Sequence, residues 1–188
     1  MTGSGVKGSG KGLVIAVSGL HGSGRSTHAK RLAETFGLRY VSSGTIFRQM
    51  AEERGLSLEE MSKLTDEDPE FDKLIDERAK EEARKGGMVL DATLAGWMAE
   101  DADLKIYLMT PPESRVKRIA ERENMSLEDV ENETRVRAES ERLRFIEYYG
   151  IDITDLSIYD VILNTDLYEP DGTARILKSV VEEYCKGR

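Results

Sequence analysis

Gly19-Leu20-His21-Gly22-Ser23-Gly24-Arg25-Ser26-Thr27 follows the apolar run Leu13-Val14-Ile15-Ala16-Val17 and opens an amphipathic segment from Arg25 to Phe36. Strand, glycine-rich turn and helix, in that order, are the context a phosphate-binding loop requires. The spacing fits G-x-x-x-x-G-K-[ST], with Gly19, Gly24 and Ser26 in place. It departs at one position, where Arg25 stands for the lysine. Glycines here let successive backbone N–H groups turn toward phosphate oxygens, and the helix adds the positive end of its dipole. The stretch therefore implies a protein that handles a nucleoside triphosphate. Gly19, Leu20, His21, Gly22, Ser23, Gly24 and Arg25 would wrap the phosphates. Ser26 would ligate Mg²⁺ through its hydroxyl, and Thr27 would bond an inner phosphate. His21 is read as shaping the turn rather than moving a proton. Two readings stay open for Arg25: a guanidinium that forks two phosphate oxygens, or a bulky substitute that slows transfer.

Working outward, residues 1–12 read as a flexible Gly/Ser-rich leader. Its Gly5–Gly12 nearly repeats the loop pattern and even has the lysine. No strand precedes it, however, and Gly12 stands where a hydroxyl is needed, so it is rejected as the phosphate loop. Residues 13–188 read as one domain. Strands are expected at about Leu13–Ser18, Leu38–Val41, Met88–Asp91, Leu104–Met109 and Ile158–Leu163, with helices between them. Ser57 with Glu60, and Ser126 with Asp129, mark helix starts. Asp68-Pro69 does the same by an N-cap and a first-turn proline. Strands alternating with helices predict an α/β fold with a five-stranded parallel sheet.

The 188 residues are 34% charged and 39% hydrophobic, which suits an ordered globule, and the net charge is −9. An acidic chain argues against nucleic-acid or anionic-membrane partners, which need a basic face. The apolar runs are too short to span a bilayer. One cysteine, Cys185, excludes an intrachain disulfide. A cytoplasmic monomer is the expectation.

Several stretches together are similar to one family. They are the loop, Ser43-Gly44-x-x-Phe47-Arg48, Asp91-x-x-Leu94-Ala95-Gly96-Trp97 and Tyr148-Tyr149-Gly150-Ile151-Asp152-Ile153-Thr154-Asp155-Leu156-Ser157-Ile158-Tyr159-Asp160. The chain resembles the short, archaeal-type cytidylate kinases, within the P-loop nucleoside monophosphate kinases, from about Leu13 to Leu177. The resemblance implies a P-loop fold with a helical acceptor-binding region at about 43–85 and a helical lid at about 113–147. It implies an ATP donor with Mg²⁺ and a CMP acceptor. AMP, UMP or dCMP stay open as acceptors, as does a binding module that has lost transfer. It implies that Arg48, with Ser43 and Gly44, holds the acceptor phosphate. Asp91, ending an apolar strand, is placed where such proteins orient Mg²⁺ or its water. The family commonly has a further arginine two residues on, where this chain has Thr93.

Arg115, Arg118 and Arg122 lie at i, i+3 and i+7, so one helix face carries all three. Arg137 and Arg144 are again seven apart, as are Arg135 and Arg142. Two arginine-bearing helices meeting at a tip look like the kinase lid. Family position favours Arg118, Arg122, Arg137 and Arg144, with Arg25, as the residues that neutralise the moving phosphoryl group. Glu113, Glu121, Glu123, Glu139 and Glu141 compete as partners on a solvated helix surface. Trp97 is read as a core aromatic.

Overall fold

Five parallel strands form one sheet in the order β2-β3-β1-β4-β5. They are β1 (Val14–Ser18), β2 (Arg39–Ser42), β3 (Met88–Asp91), β4 (Leu104–Met109) and β5 (Val161–Asn164). The helices are α1 (Arg25–Phe36), α2 (Ser43–Glu53), α3 (Leu58–Glu67), α4 (Glu70–Lys85), α5 (Ala95–Met98), α6 (Pro112–Glu123), α7 (Leu127–Tyr149) and α8 (Pro170–Lys186). The computed structural model describes residues 12–67 and 70–187. The start expected at Asp68-Pro69 and the leader through residue 11 lie outside them.

The continuous apolar run of β1 is explained by its central place. Successive side chains point to opposite sheet faces, and both faces are covered. Val14 and Ala16 enter a core with Ile46, Met50, Leu90, Leu94 and Ile153. Ile15 and Val17 enter a second core with Ala29, Leu32, Ile106, Leu177 and Val181. The connection after β1 runs to β2 on one side of the sheet and that after β3 runs to β4 on the other, so the winding switches beside β1. The loop after it opens at that switch point, where open α/β sheets bind ligands.

The expected caps form. Ser57 accepts from the Glu60 N–H at 3.2 Å and Glu60 Oε2 accepts from the Ser57 N–H at 2.8 Å. Ser126 accepts from the Asp129 N–H at 3.1 Å. The last strand begins three residues later than Ile158, because the Ile158–Asp160 stretch is spent on a turn. There the Asp160 carboxylate accepts from the Lys105 N–H at 2.7 Å. The Tyr159 ring, meanwhile, is set edge-on against Trp97, with centroids 5.6 Å apart. Gly96 leaves room for that ring, since a Cβ would come within 2.7 Å of it. Trp97 is thus a packing residue, as its sequence suggests. Asp152 and Asp155 cap turns through the Thr154 and Ser157 N–H groups.

Helix α7 touches two separate parts of the molecule. Near its start Val130 packs with Ile119 and Ala120 of α6. Near its end it is fastened to α4. Arg144 pairs with Asp72 at 3.0 Å, the Tyr149 hydroxyl donates to Asp76 at 2.8 Å, and Lys73 lies over the Tyr148 ring at 4.8 Å. Burial pushes the Asp76 carboxyl up to about 6, and the charge of Asp72 adds to this against the opposing hydrogen bond from Tyr149. An unfolded aspartate titrates near ~3.9. Above about pH 6 the folded chain holds an ionised carboxylate less well than water does, whereas below about pH 4 both states are protonated. This group's penalty therefore appears as pH rises from about 4 to 6. Asp76→Asn keeps an acceptor for Tyr149 without the charge. Urea unfolding is expected to show it about 1 kcal/mol more stable than the parent near pH 8, and equal to it near pH 4.

Candidate active site

The phosphate loop is built by three glycines with positive φ: Gly19 at 152°, Gly22 at 83° and Gly24 at 81°. Gly19 and Gly22 also have no room for a side chain. A Cβ at Gly19 would lie 2.6 Å from the Leu108 carbonyl oxygen, and one at Gly22 would press on Arg115 and Ile119 at 3.0 Å. Gly24 caps α1 without any side-chain bond, and no acidic residue occupies the first turn. The helix N-terminus is left with donors for an anion. Ser26 and Thr27 are exposed on that first turn, while Ser23 is buried.

Behind the loop a chain of hydrogen bonds holds it in shape. Thr165, just past β5, bonds the Ser23 carbonyl at 3.0 Å and shares a 2.7 Å contact with Thr110 at the end of β4. Arg118 donates to Thr165 Oγ1 at 3.0 Å and to its carbonyl at 3.1 Å, and pairs with Asp166 at 3.2 Å. Arg115, almost fully buried, donates to the His21 carbonyl at 3.2 Å. Arg122 reaches the ring of His21, with Nη2 3.1 Å from Nε2, and also pairs with Glu123. A guanidinium can only donate, so Nε2 accepts and the proton of His21 sits on Nδ1. Burial, with the charges of Arg137, Arg122 and Arg25, holds this histidine below its usual pKa. It is neutral at physiological pH.

The arginine face expected on α6 is thus real and turned to the loop. Arg137 of α7 is near enough to act on His21, while pairing with Glu141 at 3.0 Å along its own helix. Arg144 is turned away from the loop toward Asp72 of α4. Arg135 and Arg142 line a different cavity, of about 1330 Å³, on another face of α6 with Leu20, Tyr107 and Met125. The loop itself opens into a cleft of about 730 Å³, bounded by Arg118, Arg122 and residues 165–170. That last segment, with Leu167 and Tyr168, was not singled out by the sequence. The only hint is the polar Asn164-Thr165-Asp166 that ends an otherwise apolar strand.

Arg25 crosses from the loop to the tip of β3. Its Nε donates to Asp91 Oδ1 at 2.5 Å, and its Nη1 donates to the Gly19 carbonyl at 2.6 Å and to Thr93 Oγ1 at 3.1 Å. The other oxygen of Asp91 accepts from the Tyr40 hydroxyl at 2.5 Å. Asp91 is thus a buried carboxylate with a donor on each oxygen. Tyr40 also lies beside Ser26, and burial and then the Asp91 bond raise its pKa, which keeps its phenol a donor.

On the far side of β3, Ser42 caps α2 in a reciprocal box with Thr45. Ser43 and Gly44 form the exposed first turn, and Arg48 folds back over it, with Nη1 3.7 Å from where a Gly44 Cβ would be. Among the described residues no ion pair occupies Arg48.

A five-stranded parallel sheet with a glycine loop and an arginine face above it defines the phosphate-loop kinase fold. Shikimate kinase from Bacteroides thetaiotaomicron shares it, with a TM-score of 0.59 at 14% identity over 90% of this chain and 98% of that one. The model of the cytidylate kinase-like family matches residues 14–167. The cytidylate kinase of Staphylothermus marinus is 47% identical over 93% of this chain and 99% of its own. That of Pyrococcus horikoshii is 47% identical over 90% of this chain and 88% of its own. The chain belongs to the cytidylate kinase-like family.

Proposed function

We propose that the protein transfers the γ-phosphate of ATP to CMP, giving CDP and ADP. The observation that carries this is the pairing of two anion sites across one strand tip. A glycine cradle ringed by Arg25, Arg118 and Arg122 lies on one side, and Arg48 above the first turn of α2 lies on the other. One site suits a triphosphate and the other a monophosphate.

In this reading the β- and γ-phosphates lie in Gly19–Thr27 and the adenosine in the cleft toward Leu167 and Tyr168. The CMP phosphate is forked by Arg48 and met by Ser43 and Gly44. The residues also fit Mg²⁺. Ser26 offers an exposed hydroxyl, and Asp91 keeps lone pairs for a metal-bound water beside its two donors. Bound Mg²⁺ would neutralise charge on the β- and γ-oxygens. An oxygen of the CMP phosphate attacks the γ-phosphorus. The bond to the bridging oxygen breaks, and ADP leaves with its electron pair. Arg118 and Arg122, with Arg137 when the α6–α7 lid closes, offset the charge spread over the transferring group and exclude water, while Arg144 stays on Asp72. The enzyme acts by positioning and electrostatics, so it needs no covalent intermediate. A cytoplasmic monomer completes the reading.

A transfer assay coupled to ADP release, run with CMP, dCMP, UMP and AMP, tests it. CMP is expected to give the highest kcat/KM. Equal or better turnover with AMP overturns the acceptor, and ATP binding without transfer to any of the four overturns the kinase.

A further inference from the structure

Arg25 occupies the position where the loop pattern calls for a lysine, yet its charge does not sit in the middle of the glycine cradle. The guanidinium is drawn sideways. Three hydrogen bonds fix its Nε and Nη1 on Asp91, the Gly19 carbonyl and Thr93. Its Nη2 has no protein acceptor among the described residues, so the fork is tied at two corners and open at the third.

The sheet places the anchor of that open corner. Asp91 is in register with Val17 at the end of β1 and with Ser42 at the end of β2. The loop rises from β1, and α2 with Arg48 rises from β2. A side chain tied to the tip of β3 therefore stands between the two anion sites and belongs to neither alone. Its anchor is rigid: the Asp91 side chain is 1% exposed, and its second oxygen is taken by Tyr40. A lysine could not do the same. Its ammonium is a single point, with no second arm to offer a phosphate once it is tied to Asp91.

We propose that Thr93 and Tyr40 are positioning residues that hold the Arg25 guanidinium between the two substrates, so that this side chain meets the acceptor phosphate as well as the triphosphate. Thr93 acts directly on Nη1, and Tyr40 acts through Asp91. The inference rests on the phosphoryl-transfer reading above and deepens it, by giving one loop residue a part in acceptor recognition.

Thr93→Val removes the hydroxyl at nearly constant shape, and Thr93→Ser keeps it. Each is made in the parent and in Arg25→Lys, with Tyr40→Phe alongside. Thr93→Val is expected to raise KM for CMP about 5- to 10-fold, the scale of one ordinary hydrogen bond because the contact acts through Arg25, with KM for ATP within about 2-fold. Its thermal midpoint stays at the parent's, and Thr93→Ser restores the parent KM. In Arg25→Lys, Thr93→Val adds nothing further, because the contact is already gone. Tyr40→Phe moves KM for CMP in the same direction. An equal rise in both KM values, no change, or the same increment in the Arg25→Lys background overturns the proposal. Calorimetric titration of CMP into each variant reads the contact without turnover. A parent that binds CMP but transfers nothing fails the kinase reading alone, and one that does neither fails both.

Discussion

Arg25→Ala is expected to lower kcat/KM for transfer to CMP by about 10³-fold or more, the upper range for loss of one charged donor to a transferring group. The same change should cost stability. It removes the partner of a carboxylate whose side chain is 1% exposed and leaves only the Tyr40 hydroxyl to hold it. Breaking a buried pair is more damaging than never having it. Because the Arg25 side chain is 21% exposed, the expected loss is about 2 kcal/mol rather than the full buried-pair figure. Two measurements separate these effects. The double variant Arg25→Ala/Asp91→Asn should regain most of the melting temperature, since no charge is then stranded. Because Asp91 is also placed at the metal site, the activity loss is read on Arg25→Ala itself, assayed well below its melting temperature; activity near the parent's there would mean that Arg25 only holds the fold.

Arg48→Met should raise KM for CMP by about 100-fold and change KM for ATP by less than about 3-fold, as expected for loss of a bidentate charged contact to one substrate. The side chain lies exposed on α2 and folded over Gly44, so its removal strands no buried group. Unfolding should be unaffected. A matching rise in both KM values would place Arg48 outside the acceptor site. Methionine keeps the apolar stem that lies along the helix, and lysine at this position is expected to recover only part of the affinity. It offers a point charge where the phosphate needs a fork.

The parts of this molecule legible in its sequence are those whose causes are local. The β1 run, the glycine spacing, the Ser57 and Ser126 caps and the arginine face of α6 each depend on residues a few positions apart. The structure carries all of them. The partners of Asp91 were not legible, because Arg25 and Tyr40 come to it from 66 and 51 residues away, and only the sheet order joins them. The same holds for Thr165, which supports the loop from 142 residues away. Arg144 illustrates a different limit. Its heptad relation to Arg137 is correct as spacing, yet the partner that decides its direction, Asp72, belongs to α4. The misplaced start of β5 has a similar cause: Ile158 and Tyr159 look like strand residues until Gly96 and Trp97 draw Tyr159 into a turn.

Helix α7 runs for 23 residues, about 34 Å, without a glycine or proline. It is bolted at one end to the helix above the triphosphate cleft and at the other to a helix on the opposite wing of the sheet. A beam of that kind has no joint of its own. Under the lid closure proposed above, a tip of its first end toward an occupied cleft is expected to move the far end, and α4 with it. The two wings would then close together, and linkage makes such a dependence mutual. Whatever factor one substrate adds to the affinity for the other, the second returns to the first.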